Sequence, residues 1–365
     1  MKFIIRNTLT NYLIIIVRLL QGLLVTRWMV EYLGQDSYGL WTLLWSFFGY
    51  SLLLDFGFGV TVQKYTSVGL YRSDLAKYNS VVSTIFSFHA IMALLILAGT
   101  ILASFFLTVL FKLQDASPEQ VLLCRQCFLL FGIGCALVFP TGMFPEILVG
   151  LQRIYLRNYI NTISKLVELI GTLLILLRGG GLIWMIVFIL VLMLLTNLAM
   201  LFFAKWHLPG LRLYLTIDRR LIHELLHFSA FVYLKSLATL VWNRGSTLLL
   251  GIFSGLAAVG AFQLSSRLPV MMFQAADAYQ ENVGPMAAGL HAQGKYAELS
   301  RILLNSMRWN SFLATGMSLA LICMSGELLE FLFKIEDPLI TWGCRIIAME
   351  LYIILTPVLT IFKMA

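Results

Sequence analysis

Residues Tyr38–Lys64 read YGLWTLLWSFFGYSLLLDFGFGVTVQK, and the rest of the chain is organised around this stretch. It carries no charge from Gly39 to Leu54, breaks at Asp55-Phe56-Gly57-Phe58-Gly59 and ends on Lys64. About twenty apolar residues cross a hydrocarbon core, so the stretch reads as a membrane span. An ionisable residue inside such a span is expensive and marks a functional position. The two glycines beside Asp55 permit a kink or a close backbone approach.

The 365 residues around it are 60% hydrophobic and only 12% charged. A soluble domain is nearer one quarter charged, which makes this an all-α, polytopic membrane protein. The net charge of +8 does not point to nucleic acid, because the basic residues fall in short loops between apolar runs. Five cysteines lie in or near apolar stretches. Cys124 and Cys127 form a lone CxxC with no second pair, which is ordinary helix packing. The first apolar run follows Lys2 and Arg6 and continues to Val30 without a small-x-small cleavage site, so it reads as a retained span.

Ten spans are expected, at about 8–30, 38–62, 80–110, 121–145, 159–177, 182–203, 229–252, 257–280, 303–325 and 339–362. Segments 1–7, 64–78, 151–165, 204–228 and 281–308 hold fifteen Lys or Arg, and the alternate connections hold three. The positive-inside rule then places the first set, and the amino terminus, in the cytoplasm.

An internal repeat follows. Gly34 and Gly39 of LGQDSYG match Gly255 and Gly260 of SGLAAVG, 221 residues later. On the same offset Asp55 falls one residue from Asp277. Six spans separate the copies, so both enter the membrane in the same direction, related by an axis along its normal. The expected architecture is two pseudo-symmetric bundles of six-helix type: residues 1–203, an amphipathic cytoplasmic linker at 204–228, and a second bundle at 229–365. The second bundle then lacks counterparts of the fifth and sixth spans and is expected to be truncated.

The pattern RxxxxxLGxxxYGLW (Arg27 to Trp41), with LLDFGFG (Leu53 to Gly59) and the basic loop after it, resembles the amino terminus of Wzx-type polysaccharide flippases. These belong to the multidrug/oligosaccharidyl-lipid/polysaccharide exporter superfamily. LLLGIFSGLAAVGAFQLSSRLPVMM and the later Asn282-Val283-Gly284-Pro285-Met286 are similar to its second half. Where members usually start that half with a DxxLLG-type motif, this chain has Arg244 to Gly251. The resemblance implies two helix bundles around a central cavity in a bacterial inner membrane. It also implies movement of an undecaprenyl-pyrophosphate-linked oligosaccharide from the inner to the outer leaflet, with no cofactor and no catalysis. Polysaccharide polymerase components are the implied protein partners. A multidrug or cation antiporter of the same superfamily is the nearest alternative.

Residue chemistry nominates the sites. Arg18 lies deep in the first span, with Asn11 and Gln21 on its helical face. Arg267 lies at similar depth among Gln263, Ser265 and Ser266, and Arg244 lies beside Asn243, Ser246 and Thr247. Guanidinium pairs with phosphate through a charge-assisted fork, so Arg18, Gln21, Arg244 and Arg267 are the diphosphate and sugar candidates. Asp55 sits roughly 26 Å along its span from Tyr38, toward the cytoplasmic mouth. With Asp277 it is a candidate for gating or ion coupling. His89 reads as a packing hydrogen bond, and Glu350 as a partner for Arg345. His223-Glu224-Leu225-Leu226-His227 spells HExxH, the zinc motif of metallopeptidases. It falls in the basic linker, where charge alternating with leucine suits a helix lying on the membrane. A metallopeptidase is therefore the weaker alternative.

Overall fold

The computed structural model describes residues 2–72, 75–111, 113, 117–292 and 295–355. Among them the chain is helical, with no strand. Its helices are α1 (Lys2–Gly49), α2 (Phe58–Arg72), α3 (Leu75–Phe105), α4 (Leu107–Leu110), α5 (Pro118–Val138), α6 (Phe144–Gly150), α7 (Ile154–Leu177) and α8 (Leu182–His207). The remainder are α9 (Arg219–Ser254), α10 (Leu256–Ala292), α11 (Tyr296–Phe333) and α12 (Pro338–Leu355). Seven helical stretches among the described residues are long and apolar enough to cross a membrane. The first, Leu9–Asp55, holds two of the expected spans, divided where Gly34 takes φ 81° and ψ 170°.

Two expected spans are not single helices. The stretch at 38–62 leaves α1 at Gly49, tightens to a 3₁₀ turn over Tyr50–Asp55, and breaks at Phe56 and Gly57, with φ 51° and 77°, before α2. The stretch at 121–145 ends its α-helix at Val138 and runs as 3₁₀ over Phe139–Met143 before α6. Pro140 and Pro145 remove backbone donors there. The start of α5 follows local chemistry. Ser117 and Gln120 form a reciprocal capping box around Pro118.

The chain forms two compact units, Met1–Val259 and Gly260–Ala365. In the first, α3 and α8 lie against α5, α7 lies along α1, and α9 packs on α1 and α2. Lipid offers no hydrophobic drive between helices, so close approach and hydrogen bonds carry the packing. A Cβ on Gly132 would overlap Thr100 of α3, and one on Gly134 would overlap Leu190 of α8. A buried apolar cluster joins Phe58, Tyr78, Ile85, Phe144, Ile147 and Met200.

The 204–228 segment, expected as one amphipathic stretch, is three pieces. α8 ends at His207, residues 208–218 have no helix, and α9 starts at Arg219. The middle piece is tied along α3. Asn79 Nδ2 donates to the Gly210 carbonyl (2.9 Å) and its Oδ1 accepts from Arg212 N–H (3.1 Å). Ser83 Oγ accepts from Tyr214 N–H (3.2 Å), and Ser87 Oγ from Thr216 N–H (2.9 Å). The registers match physically. Four helical residues rise about 6 Å and two extended residues about 6.6 Å, so every fourth side chain of α3 meets every second amide.

The second unit is a smaller helical assembly in which α11 and α12 pack together. Ser265 Oγ donates to the Ile340 carbonyl at 3.0 Å, and Arg345 Nε donates to Ser325 Oγ at 2.9 Å. Glu350 is exposed, so Arg345 takes the serine rather than the carboxylate expected for it.

Candidate functional site

The break after Gly49 gathers charge. Asp55 closes the 3₁₀ turn, and its Oδ2 accepts the Gly59 N–H at 3.3 Å, capping the start of α2. Its Oδ1 lies 3.0 Å from His89 Nε2 of α3, at ion-pair distance but off the line of a hydrogen bond. His89 is 2% exposed, walled by Phe58 and Phe139, and its Nδ1 has no hydrogen-bond partner among the described residues. The histidine read as a packing hydrogen bond is thus the neighbour of the acid nominated for gating or ion coupling.

On the other side, Arg244 of α9 donates from Nη1 to the Trp45 carbonyl of α1. Its guanidinium lies over Gly49, where an added Cβ would meet Nε at 2.5 Å. Asp55, His89 and Arg244 all line one cavity of about 780 Å³ within the first unit. Its wall also carries Glu146, Asn197 and Lys235, and its apolar side includes Trp45, Phe48 and Phe131. This is the size and mixed lining of a ligand cavity. Glu146 accepts from Gln63 Nε2. Both acids therefore have partners inside the unit. Lys235 and Arg244 have no carboxylate within ion-pair distance among the described residues.

A second polar surface is the seam between α1 and α7. Asn158 Nδ2 donates to Thr10 Oγ1 (3.1 Å) and to Asn11 Oδ1 (2.5 Å). Nearly three turns of helix further on, Gln21 Nε2 donates to Glu168 Oε1 (2.7 Å), and Lys165 Nζ lies 2.5 Å from Glu168 Oε2. The near-constant sequence offset of these pairs makes the two helices parallel. Arg18 projects from this seam as an exposed side chain, with Arg157 its like-charged neighbour on α7. Arg157 Nε is buried without a hydrogen-bond partner among the described residues. Among the described residues Lys165 pairs with Glu168, and neither Arg18 nor Arg157 has a carboxylate within ion-pair distance. Sequence reasoning missed Glu168 and Lys165, although an acid in the middle of an apolar run was the available signal.

In the second unit Arg267 is half-buried, and its Nε is buried without a hydrogen-bond partner among the described residues. The side chain of Asp277, the suggested twin of Asp55, lies outside the described residues, as do those of Glu224 and His227. His223 is exposed on α9.

Comparison with known proteins places this arrangement. A family model described as polysaccharide biosynthesis protein matches residues 4–276. The uncharacterized membrane protein EpsK of Bacillus subtilis (strain 168) is 20% identical over 315 residues, 86% of this chain and 62% of that protein. The chain thus spans less than two thirds of the length of this relative. Among solved structures, the lipid II flippase MurJ in an inward closed conformation aligns with a TM-score of 0.69 at 15% identity. That alignment covers 96% of this chain and 72% of MurJ. A multidrug resistance MATE family transporter in an inward-facing conformation aligns at 0.65 and 17% identity, covering 93% and 76%. A transporter from Pyrococcus furiosus aligns at 0.62 and 17% identity, covering 94% and 76%. These likenesses bear on the fold alone. The chain belongs to the polysaccharide biosynthesis protein family.

Proposed function

We propose that the protein moves an undecaprenyl-pyrophosphate-linked oligosaccharide from the cytoplasmic to the outer leaflet of a bacterial inner membrane, with its amino terminus in the cytoplasm. The observation that carries this reading is a pair of arginines, Arg157 and Arg267, each with a buried guanidinium nitrogen that has no hydrogen-bond partner among the described residues. On the α1–α7 seam Arg157 Nε is buried without a hydrogen-bond partner among the described residues and stands beside Arg18, while Glu168 is taken by Lys165 and Gln21. Arg267 Nε is in the same state in the second unit. Burying unpaired guanidinium is costly unless an anion completes it, and a diphosphate supplies the matching oxygens. Arg18, Gln21 and Arg267 are assigned to the diphosphate and first sugar, with Arg244 on the cavity wall. The repeat boundaries at 203 and 229 are kept as the evolutionary division, with Asp55 and Asp277 at its two gates.

The test is delivery of lipid-linked glycan to the outer leaflet by Arg18→Ala and Arg267→Ala. Each variant is expected to insert normally and to lose at least tenfold in rate. Wild-type rates in both would overturn the assignment, and dye efflux independent of any lipid-linked sugar would favour the antiporter.

A further inference from the structure

We propose that Arg6, Arg153 and Arg157, gathered around the ring of Tyr155 where α1 and α7 begin, form a diphosphate-binding site that holds a lipid headgroup before it reaches Arg18. The site stands on its own geometry. Its role as a loading point rests on the transporter reading above.

Three observations converge. The first is how the arginines are held. Tyr155 is 7% exposed, with the Arg6 guanidinium carbon 3.3 Å from its ring centroid and Arg153 Nη1 donating to its Oη at 3.1 Å. Stacking uses the face of a guanidinium and not the N–H donors in its plane. The buried ring therefore orders two guanidinium groups side by side.

The second is their height on the seam and the charge around them. The pairing of Asn11 with Asn158 and of Gln21 with Glu168 sets an offset of 147 residues, which brings Arg6 level with Arg153. Arg157 follows Arg153 by one helical turn, about 6 Å. It is half-buried, its Nε has no hydrogen-bond partner among the described residues, and it neighbours Arg18. Residues 1–30 and 147–167, which build this part of the seam, contain no Asp or Glu.

The third is the end of α7 itself. The helix runs for 24 residues and starts with no acidic side chain in its first turn and no side-chain cap. The positive end of its dipole thus adds to the arginines. A diphosphate brings the oxygens that forked guanidinium pairs require. Beyond the arginines α1 exposes Leu9 and Leu13, and α7 exposes Ile163 and Leu166. This apolar surface suits the tail of a lipid and offers nothing to a free anion.

The full chain carrying Arg18→Ala and Arg267→Ala, in phosphatidylcholine nanodiscs, isolates the site from the other assigned arginines. Farnesyl diphosphate is the probe. It is expected to bind and to slow amide exchange over residues 154–157 at least fivefold. Adding Arg6→Gln and Arg153→Gln is expected to weaken binding at least tenfold, as the loss of charge-assisted hydrogen bonds does, and to remove that protection. Exchange over residues 79–87 of α3 reports that each variant is folded. Unchanged affinity in the quadruple variant, or no protection of 154–157 in its parent, overturns the site. Inorganic diphosphate is expected to bind at least tenfold more weakly than farnesyl diphosphate, and equal binding overturns the loading role. Should either background fail to fold, Arg6→Gln in the otherwise unaltered chain, at an exposed position, is expected to weaken binding at least threefold. Unchanged binding there overturns the site. The measurement reads binding by protein that already lacks Arg18 and Arg267. Its failure therefore leaves the glycan-delivery test of those two residues standing, and failure of that test leaves this one standing.

Discussion

Gly49 is where the absence of a side chain matters most to the site. The guanidinium of Arg244 occupies the space a Cβ would take, and from there it reaches the Trp45 carbonyl. Gly49→Ala places a methyl 2.5 Å from Arg244 Nε and 2.7 Å from Cδ, so the arginine side chain must shift. Overpacking of this kind costs about 1–3 kcal/mol. The expected result is a lower melting temperature in detergent for Gly49→Ala, with little further loss when Arg244→Ala is added. A double-mutant cycle measures this coupling directly. Additive losses would mean that the glycine serves helix packing and not the arginine. Arg244 was nominated from its residue type and depth. Its tie to a carbonyl 199 residues earlier in the chain could not be read there, because only the fold brings α9 beside the end of α1.

At the scale of elements, the segment 208–218 shows how a helix face holds a chain that has no regular structure of its own. Its backbone groups must be paired, and three side chains of α3 do this. Asn79, 8% exposed, satisfies two of them at once, so Asn79→Ala leaves the Gly210 carbonyl and the Arg212 amide without these partners. Leaving such groups unpaired costs about 1–3 kcal/mol. Amide exchange at Arg212 is expected to quicken at least tenfold in Asn79→Ala, whereas Ser87→Ala is expected to quicken Thr216 alone. Equal effects of both variants across the whole segment would show that the strap is held as a unit by its apolar contacts at Leu211 and Leu213. The pairing explains why the extended path of residues 208–218 could not be read from the linker itself. Pro209-Gly210 signalled the stop of α8, but the partner that makes an extended path favourable lies 129 to 133 residues away on α3. The break at Asp55, by contrast, was legible because Gly57 and Gly59 announce it locally. His89 was set aside for the opposite reason: its importance comes from a neighbour 34 residues away, visible only once α3 is folded against the turn.

For the molecule as a whole, the repeat read from sequence makes a prediction that needs no ligand. Its two leading glycines, Gly34 and Gly255, have φ of 81° and 83°, and nothing lies within 4 Å of a Cβ built on either. Both positions are therefore free of steric crowding, and the cost of adding a methyl is conformational. An L-residue held at positive φ costs about 1–2 kcal/mol, and more at Gly34, whose ψ of 170° lies in a region that is essentially reserved for glycine. Gly99 in α3 and Gly316 in α11 also have open space for a Cβ but carry no positive φ. Alanine there restricts the unfolded chain and favours helix, adding about 0.5–1 kcal/mol of stability. Thermal melting of the four Gly→Ala variants in detergent is thus expected to separate them by sign. Gly34→Ala and Gly255→Ala should fall together, and Gly99→Ala and Gly316→Ala should hold or rise. If Gly255→Ala behaved like the helix-interior pair while Gly34→Ala did not, the matched glycines would have different structural roles. The two halves would then share spacing without sharing the device that starts each one, and the pseudo-symmetric assignment of Asp277 to Asp55 would lose its basis.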